Sequence, residues 1–363
     1  MTQSDFSMLI EEITRRKDLV TDYLNSKNPI KFSHQHLVDA TYSYINAGGK
    51  SLRAAVLLFA CGAVGGDETT ALPAAAAIEL YHTFTLVHDD IIDRDEMRRG
   101  IPTVHTEFTR RAQTELGYDE ATAQHYGLSV AILTGDIQQG WAASLLPDLY
   151  HSYGVPAELA LNLTRELFHN VLLTLINGET SDIIQSTTPV EDLTEEEVLT
   201  MLWQKTGILY EFAGRAGAAI GLKTPDLNHP TVTALSQFTS KCGIAFQIQD
   251  DILGITADEK KLGKPVGSDI REGKRTIILL HAMKNLSPAD QALVLNTIGN
   301  QNATPQDIDQ VTALLIKGGG VAHAQQLANA YITEALEHIA PLPATPQKDL
   351  LIAWANYLTH REL

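Results

Sequence analysis

Residues 71–87 are a largely apolar run, rich in alanine and free of glycine, and just beyond it come Asp89, Asp90 and Asp93, then Asp95 and Glu96. A stretch of this length and composition predicts a buried helix. Pro73 lies near its start, where a missing N–H does no harm. Carried through to the acidic end, the helix makes Asp89 and Asp93 i,i+4 neighbours and places His82 two turns back on the same face. Asp90 points about 100° away. A charge run is ordinarily a solvated face. These carboxylates, however, stand at the C-terminal end, where the helix dipole disfavours them, and neighbours repel unless a cation lies between them. Hard oxygen donors on a rigid scaffold suit Mg²⁺, which takes one or two carboxylates together with phosphate oxygens. Arg98 and Arg99 close the stretch.

A second acidic helix end repeats the pattern. Asp250 and Asp251 follow an amphipathic run with Leu235, Phe238, Cys242, Ala245 and Ile248 at three- and four-residue spacing. Gln247 is i−3 from Asp250 and shares its face. The segment after it, residues 254–275, holds glycines together with Lys260, Lys261, Lys264, Arg271, Lys274 and Arg275. Two acidic helix ends beside loose basic segments describe a site for a polyanion held through metal ions.

Long Ala-, Leu- and Ile-rich segments with few alternating β-branched runs predict an all-α chain, and no Gly/Ser- or Pro-rich linker divides it. One domain over residues 1–363 is therefore expected. The net charge of −17 speaks against a nucleic-acid partner; an anionic substrate must be held by local cations against the overall field. Cys61 and Cys242 each lie in an apolar run, so a reducing compartment and a non-redox role are expected. The acidic N-terminal segment does not read as a signal peptide. No apolar run approaches the ~20 residues of a transmembrane segment, so a soluble, cytoplasmic protein is expected.

The motifs DDIID with RRG-PTVH, and FQIQDD with GKPVGSD-REGK-T, resemble the two aspartate-rich regions of the trans-isoprenyl diphosphate synthases, the polyprenyl synthetase family. GGKSLR at 48–53, IELYH at 78–82, GD at 135–136 and KT at 205–206 fall in the family's order. The resemblance implies a single-domain bundle of long helices around a central cavity, the isoprenoid synthase fold, working as a homodimer. It implies head-to-tail condensation of isopentenyl diphosphate with allylic diphosphates (dimethylallyl, geranyl, farnesyl). On this resemblance Asp89, Asp93 and Asp250 hold Mg²⁺, three ions together with the allylic diphosphate. Lys205, Lys264, Lys274 and Arg98 anchor that diphosphate. Lys50, Arg53, His82 and Arg99 hold isopentenyl diphosphate, with Lys50 and Arg53 opening a helix at i,i+3. Thr206 and Gln247 place oxygen dipoles beside the allylic cation, and the loop 254–273 closes over the site.

The chain departs from the family pattern in places. Ser51 and Ala54 stand where a further basic residue or Arg-Pro is usual. Glu179, ahead of Asp182, replaces a common glutamine and adds a negative charge facing the cavity if the register holds. Residues 106–124 read as an inserted polar surface excursion with at most one short helix. For product length, Phe84 lies five residues before Asp89, about 140° round the helix and over a turn deeper, with Tyr81 three residues further on. An aromatic ring at Phe84 blocks the growing tail, and DDIID without a two-residue insertion resembles geranylgeranyl rather than farnesyl synthases; the resemblance implies geranylgeranyl diphosphate, with farnesyl diphosphate second because Tyr81 adds bulk. The rivals are a class I terpene cyclase, disfavoured by Lys50, Arg53 and His82, and a non-catalytic synthase subunit, disfavoured by the presence of both aspartate regions.

Overall fold

The computed structural model describes residues 6–27, 34–256 and 267–360; Lys264, expected to anchor the allylic diphosphate, lies outside them. The described chain is helical apart from one two-residue hairpin, β1 (Met97–Arg98) against β2 (Ile101–Pro102), with Met97 opposite Pro102. Helices α1 (Ser7–Ser26) and α2 (Gln35–Asn46) form the N-terminal region. They are followed by α3 (Leu52–Ala63), α4 (Leu72–Ile92), α5 (Val104–Leu116) and α6 (Glu120–Leu145). After the short α7 (Asp148–His151) come α8 (Ala157–Arg165), α9 (Leu172–Thr187), α10 (Glu195–Leu202), α11 (Ile208–Leu222) and α12 (Pro230–Thr256). Further helices complete the chain, among them Gly320–Ile339 and Pro346–His360.

Helices α3, α4, α11 and α12 form the centre. Their apolar residues run round most of the circumference rather than along one stripe, and such helices are stable only when covered on all sides. In α4, Ala74 to Ala77 have no exposed surface, and in α3 every residue except Arg53 is buried. α11 packs against α3 and α12, α12 against Gly320–Ile339, and α4 against α6. One cluster of buried side chains runs from Phe6 to Leu358. Among the described residues, no helix is long and apolar enough to cross a membrane.

The polar segment 106–124 carries more structure than its composition announces. Most of it is α5, whose Phe108 and Ala112 are buried. With Val104 they join Ala40, Tyr44, Val87, Val130 and Ala131 in a second apolar cluster. Only one narrow face of α5 is apolar, so the remainder reads as surface.

Two segments widen from α- to π-helix: Glu166–Val171, between α8 and α9, and Trp203–Gly207, between α10 and α11. A π turn inserts a residue into the helix and shifts the phase of the turns beyond it. Lys205 and Thr206 both lie in the second one.

Candidate active site

The C-terminal ends of α4 and α12 open into one cavity of about 690 Å³, within the range of small-molecule sites. Asp89 and Asp93 line it from α4, Asp250 and Asp251 from α12, and Glu179 and Asp182 from α9. Arg53, His82, Arg98, Arg99, Lys205 and Lys274 line it as well, and so does Phe84. The two acidic ends, about 160 residues apart in sequence, therefore share a single space.

The end of α4 is held from behind. Asp93 caps the helix, its N–H donating to the Asp89 carbonyl at 2.8 Å. Asp90, turned away from its neighbours, is fully buried. It accepts a hydrogen bond from the Tyr44 hydroxyl and another, at 2.6 Å, from Arg98 Nε. The Tyr44 oxygen also accepts from the Val104 N–H at 3.3 Å, joining α2, α4 and α5. Burial raises the Asp90 carboxyl above its ordinary range although Arg98 opposes this. Arg98 Nη2 lies 2.5 Å from Asp90 and 3.4 Å from Asp89, so this residue, expected at the allylic diphosphate, also fixes the aspartates. Tyr44→Phe should cost about 1.5–3 kcal/mol of unfolding free energy, because it strips a donor from a buried carboxylate. Urea unfolding checks this, and an unchanged midpoint and slope would mean that the hydroxyl holds nothing.

Lys205 lies at the centre of the acidic wall. Its Nζ is 3.3 Å from Asp89 Oδ1, 2.9 Å from Glu179 Oε2 and 2.7 Å from Asp182 Oδ2. Gly178 makes this possible: a Cβ there would fall 2.5 Å from the Lys205 backbone nitrogen. With no side chain at that point, α9 lies directly on the π turn, and the next residues face the ammonium. Burial would lower the Lys205 pKa, but Asp89 and Asp182 outweigh it and hold it above the ordinary lysine range. Burial pushes Asp89 up, yet Lys205, Lys274 and Arg98 together bring it below its usual value. Asp93 is pushed up to about 7, first by burial, with Asp89 adding to it and Lys274 opposing. Lys274 Nζ stands 3.9 Å from Asp93 and 3.1 Å from Glu272.

One oxygen each from Asp89, Asp93 and Glu179 lie within 4.8 Å of one another. Converging carboxylates with part of their charge uncompensated are a donor set for a hard cation. Deeper in, Thr206 Oγ1 donates to Gln247 Oε1 at 2.9 Å, and Gln247 Nε2 donates to Asp251 Oδ1 at 3.3 Å. Asp251 therefore orients the amide, and burial raises its own carboxyl well above the ordinary range.

Elsewhere in the lining Arg53 Nη1 lies 3.1 Å from His82 Nε2, and the guanidinium sits 4.5 Å from the Tyr210 ring centroid. Burial, then Arg53 and Arg99, press the His82 pKa well below its normal value, so His82 is a neutral hydrogen-bonding group. Arg99 donates to the Gly48 carbonyl, and a Cβ on Gly49 would come within 2.7 Å of its guanidinium. Lys50 is different. The helix it was expected to open begins at Leu52, after Ser51 in a left-handed conformation. Lys50 thus precedes the helix and shares no face with Arg53. It is exposed, with Nζ 6.0 Å from the Tyr357 ring, and it does not line the cavity. Tyr81 does not line it either. It is wholly buried behind Phe84, ring centroids 4.7 Å apart, with Phe168 at 5.6 Å on its other side.

Sequence reasoning missed Tyr44, which is 46 residues from Asp90 and carries no local signal, and left Glu179 without a role.

A helical bundle closed around a cavity with two acidic helix ends and facing cations has the architecture of the isoprenoid synthases. The chain belongs to the polyprenyl synthetase family: the family model described as "Polyprenyl synthetase" matches residues 34–315. It is 35% identical over 329 residues to a geranylgeranyl diphosphate synthase of Sulfolobus acidocaldarius, covering 91% of this chain and 89% of that one. Its structure is similar to the crystal structure of geranylgeranyl pyrophosphate synthetase from Pyrococcus horikoshii, with a TM-score of 0.84, 34% identity, and coverage of 99% and 100% of the two chains. It is also similar to a geranylgeranyl pyrophosphate synthase from Corynebacterium glutamicum complexed with isoprenyl diphosphate and magnesium. There the TM-score is 0.83, the identity 27%, and the coverage 98% and 99%.

Proposed function

We propose that the protein condenses isopentenyl diphosphate head-to-tail with allylic diphosphates, and that its main product is geranylgeranyl diphosphate. The observation that carries this reading is the single cavity lined both by carboxylates from α4 and α12 and by the cations Arg53 and Arg99 with His82, which lies 3.1 Å from Arg53. A cyclase needs only the carboxylates. A condensing enzyme needs a second anion site.

The converging oxygens of Asp89, Asp93 and Glu179, with Asp250 lining the same cavity, fit Mg²⁺. When bound, Mg²⁺ supplies Lewis-acid stabilisation of the charge that develops on the leaving diphosphate. Lys205 and Lys274 reach the same diphosphate as protonated donors, and Arg98 keeps the aspartates in place. Arg53, Arg99 and neutral His82 hold isopentenyl diphosphate, and exposed Lys50, which precedes α3 outside the cavity lining, adds positive charge for the same diphosphate. The allylic C–O bond breaks, its electron pair leaving with the diphosphate, and the isopentenyl double bond attacks the allylic carbon. The released diphosphate accepts the proton lost from the new C–C unit. Thr206 and Gln247, locked together by their hydrogen bond, present oxygen to the cationic path. Phe84, Leu175, Leu202 and Phe246 wall it against water.

Large apolar residues outside the cavity remain exposed on α6 (Ile132, Leu133) and on α9 (Leu173, Ile184). A second copy of the chain covering them gives the homodimer. Continuity of the buried core from Phe6 to Leu358 supports one domain, and the two free, buried cysteines, Cys61 and Cys242, support a reducing, cytoplasmic setting.

Diphosphate release, measured with farnesyl diphosphate and Mg²⁺, tests this reading. One diphosphate should appear per isopentenyl diphosphate consumed, none after chelation with EDTA, and the rate should return with Mg²⁺. Equal release without isopentenyl diphosphate would identify a cyclase instead.

A further inference from the structure

Glu179 is the residue of the acidic wall that the family resemblance does not explain, since a neutral amide is usual at its position. Its Oε2 shares Lys205 with Asp89 and Asp182, while its Oε1 is shielded from solvent and has no hydrogen-bond partner. A buried carboxylate oxygen without a donor is unfavourable unless a cation meets it. One oxygen of this residue also lies within 4.8 Å of oxygens of both Asp89 and Asp93. Asp182, by contrast, holds Lys205 at 2.7 Å and stands outside that set. Lys205 can therefore remain on Asp182 while Glu179 turns to a metal ion.

We propose that Glu179 is a third carboxylate of the cation site at Asp89 and Asp93, so that the substrate-free protein takes up a divalent cation before the allylic diphosphate arrives. The proposal rests on the assignment of that site to Mg²⁺. Two carboxylates leave Mg²⁺ dependent on diphosphate oxygens to complete its shell. A third supplies another anionic ligand and lets the metal bind first.

Mn²⁺, a paramagnetic ion that takes the same oxygen donors, is the probe. Free Mn²⁺ is followed by electron paramagnetic resonance as it is titrated into the full chain without substrate. Glu179→Gln should weaken binding at least tenfold with an unchanged circular dichroism spectrum. Asp182→Asn, which removes the same charge from the same lysine but no oxygen from the set, should weaken it less than threefold. Wild-type affinity in Glu179→Gln, or equal losses in the two variants, would overturn the proposal alone. Wild-type binding no tighter than that of Asp89→Asn would overturn it together with the assignment of the cation site beneath it.

Discussion

Alanine at Asp89 is expected to lower kcat by about a thousandfold or more. Losing a ligand to the catalytic metal costs several kcal/mol of transition-state stabilisation, and about 4 kcal/mol is a thousandfold in rate. The fold should survive, because Lys205 keeps Glu179 and Asp182 as partners, and the buried support of the helix end runs through Asp90, Tyr44 and Arg98. Asp250→Ala, on α12, should act alike. Turnover and circular dichroism, measured together at saturating Mg²⁺, separate a chemical defect from a folding one. Near-normal turnover in either variant would contradict the assignment of these aspartates.

Phe84→Ala should lengthen the product by at least one five-carbon unit. Phe84 lines the cavity one turn and more below Asp89, and its ring is the aromatic surface that a growing tail meets. Tyr81 stands behind it and makes no cavity wall. Tyr81→Ala alone should therefore leave the product unchanged while destabilising the protein by about 3–5 kcal/mol, as buried aromatic truncations do. With Phe84 already removed, Tyr81→Ala should lengthen the product again. Products resolved by chain length decide this. An active Phe84→Ala variant with the wild-type distribution would show that the floor lies elsewhere.

Features set by local physics were legible in the sequence. The glycine-free run gave α4, its carboxylates stood at the wrong end for the dipole, and the same logic found α12. The positions of Asp89, Asp93, Asp250 and Gln247 around one cavity stem from those helices. Features set by contact between distant segments were not legible. The three carboxylates on Lys205 depend on α9 lying against a π turn at Gly178, and no periodicity reports a π turn. Lys50 was placed beside Arg53 by counting i,i+3, a count that fails because Ser51 breaks the helix with φ of 45°. The helix within 104–116 buries only a narrow stripe, too weak a pattern to stand out among its charges. Tyr44 has its role solely because its hydroxyl ends at Asp90.

The most direct test of the central claim is a single assay with labelled isopentenyl diphosphate. The protein, with Mg²⁺, is given dimethylallyl, geranyl or farnesyl diphosphate, and the labelled prenyl products are resolved by length. All three primers should converge on the twenty-carbon geranylgeranyl diphosphate, with label absent from prenyl products in chelated controls. Allylic diphosphate consumed with no label entering a prenyl chain would contradict the account.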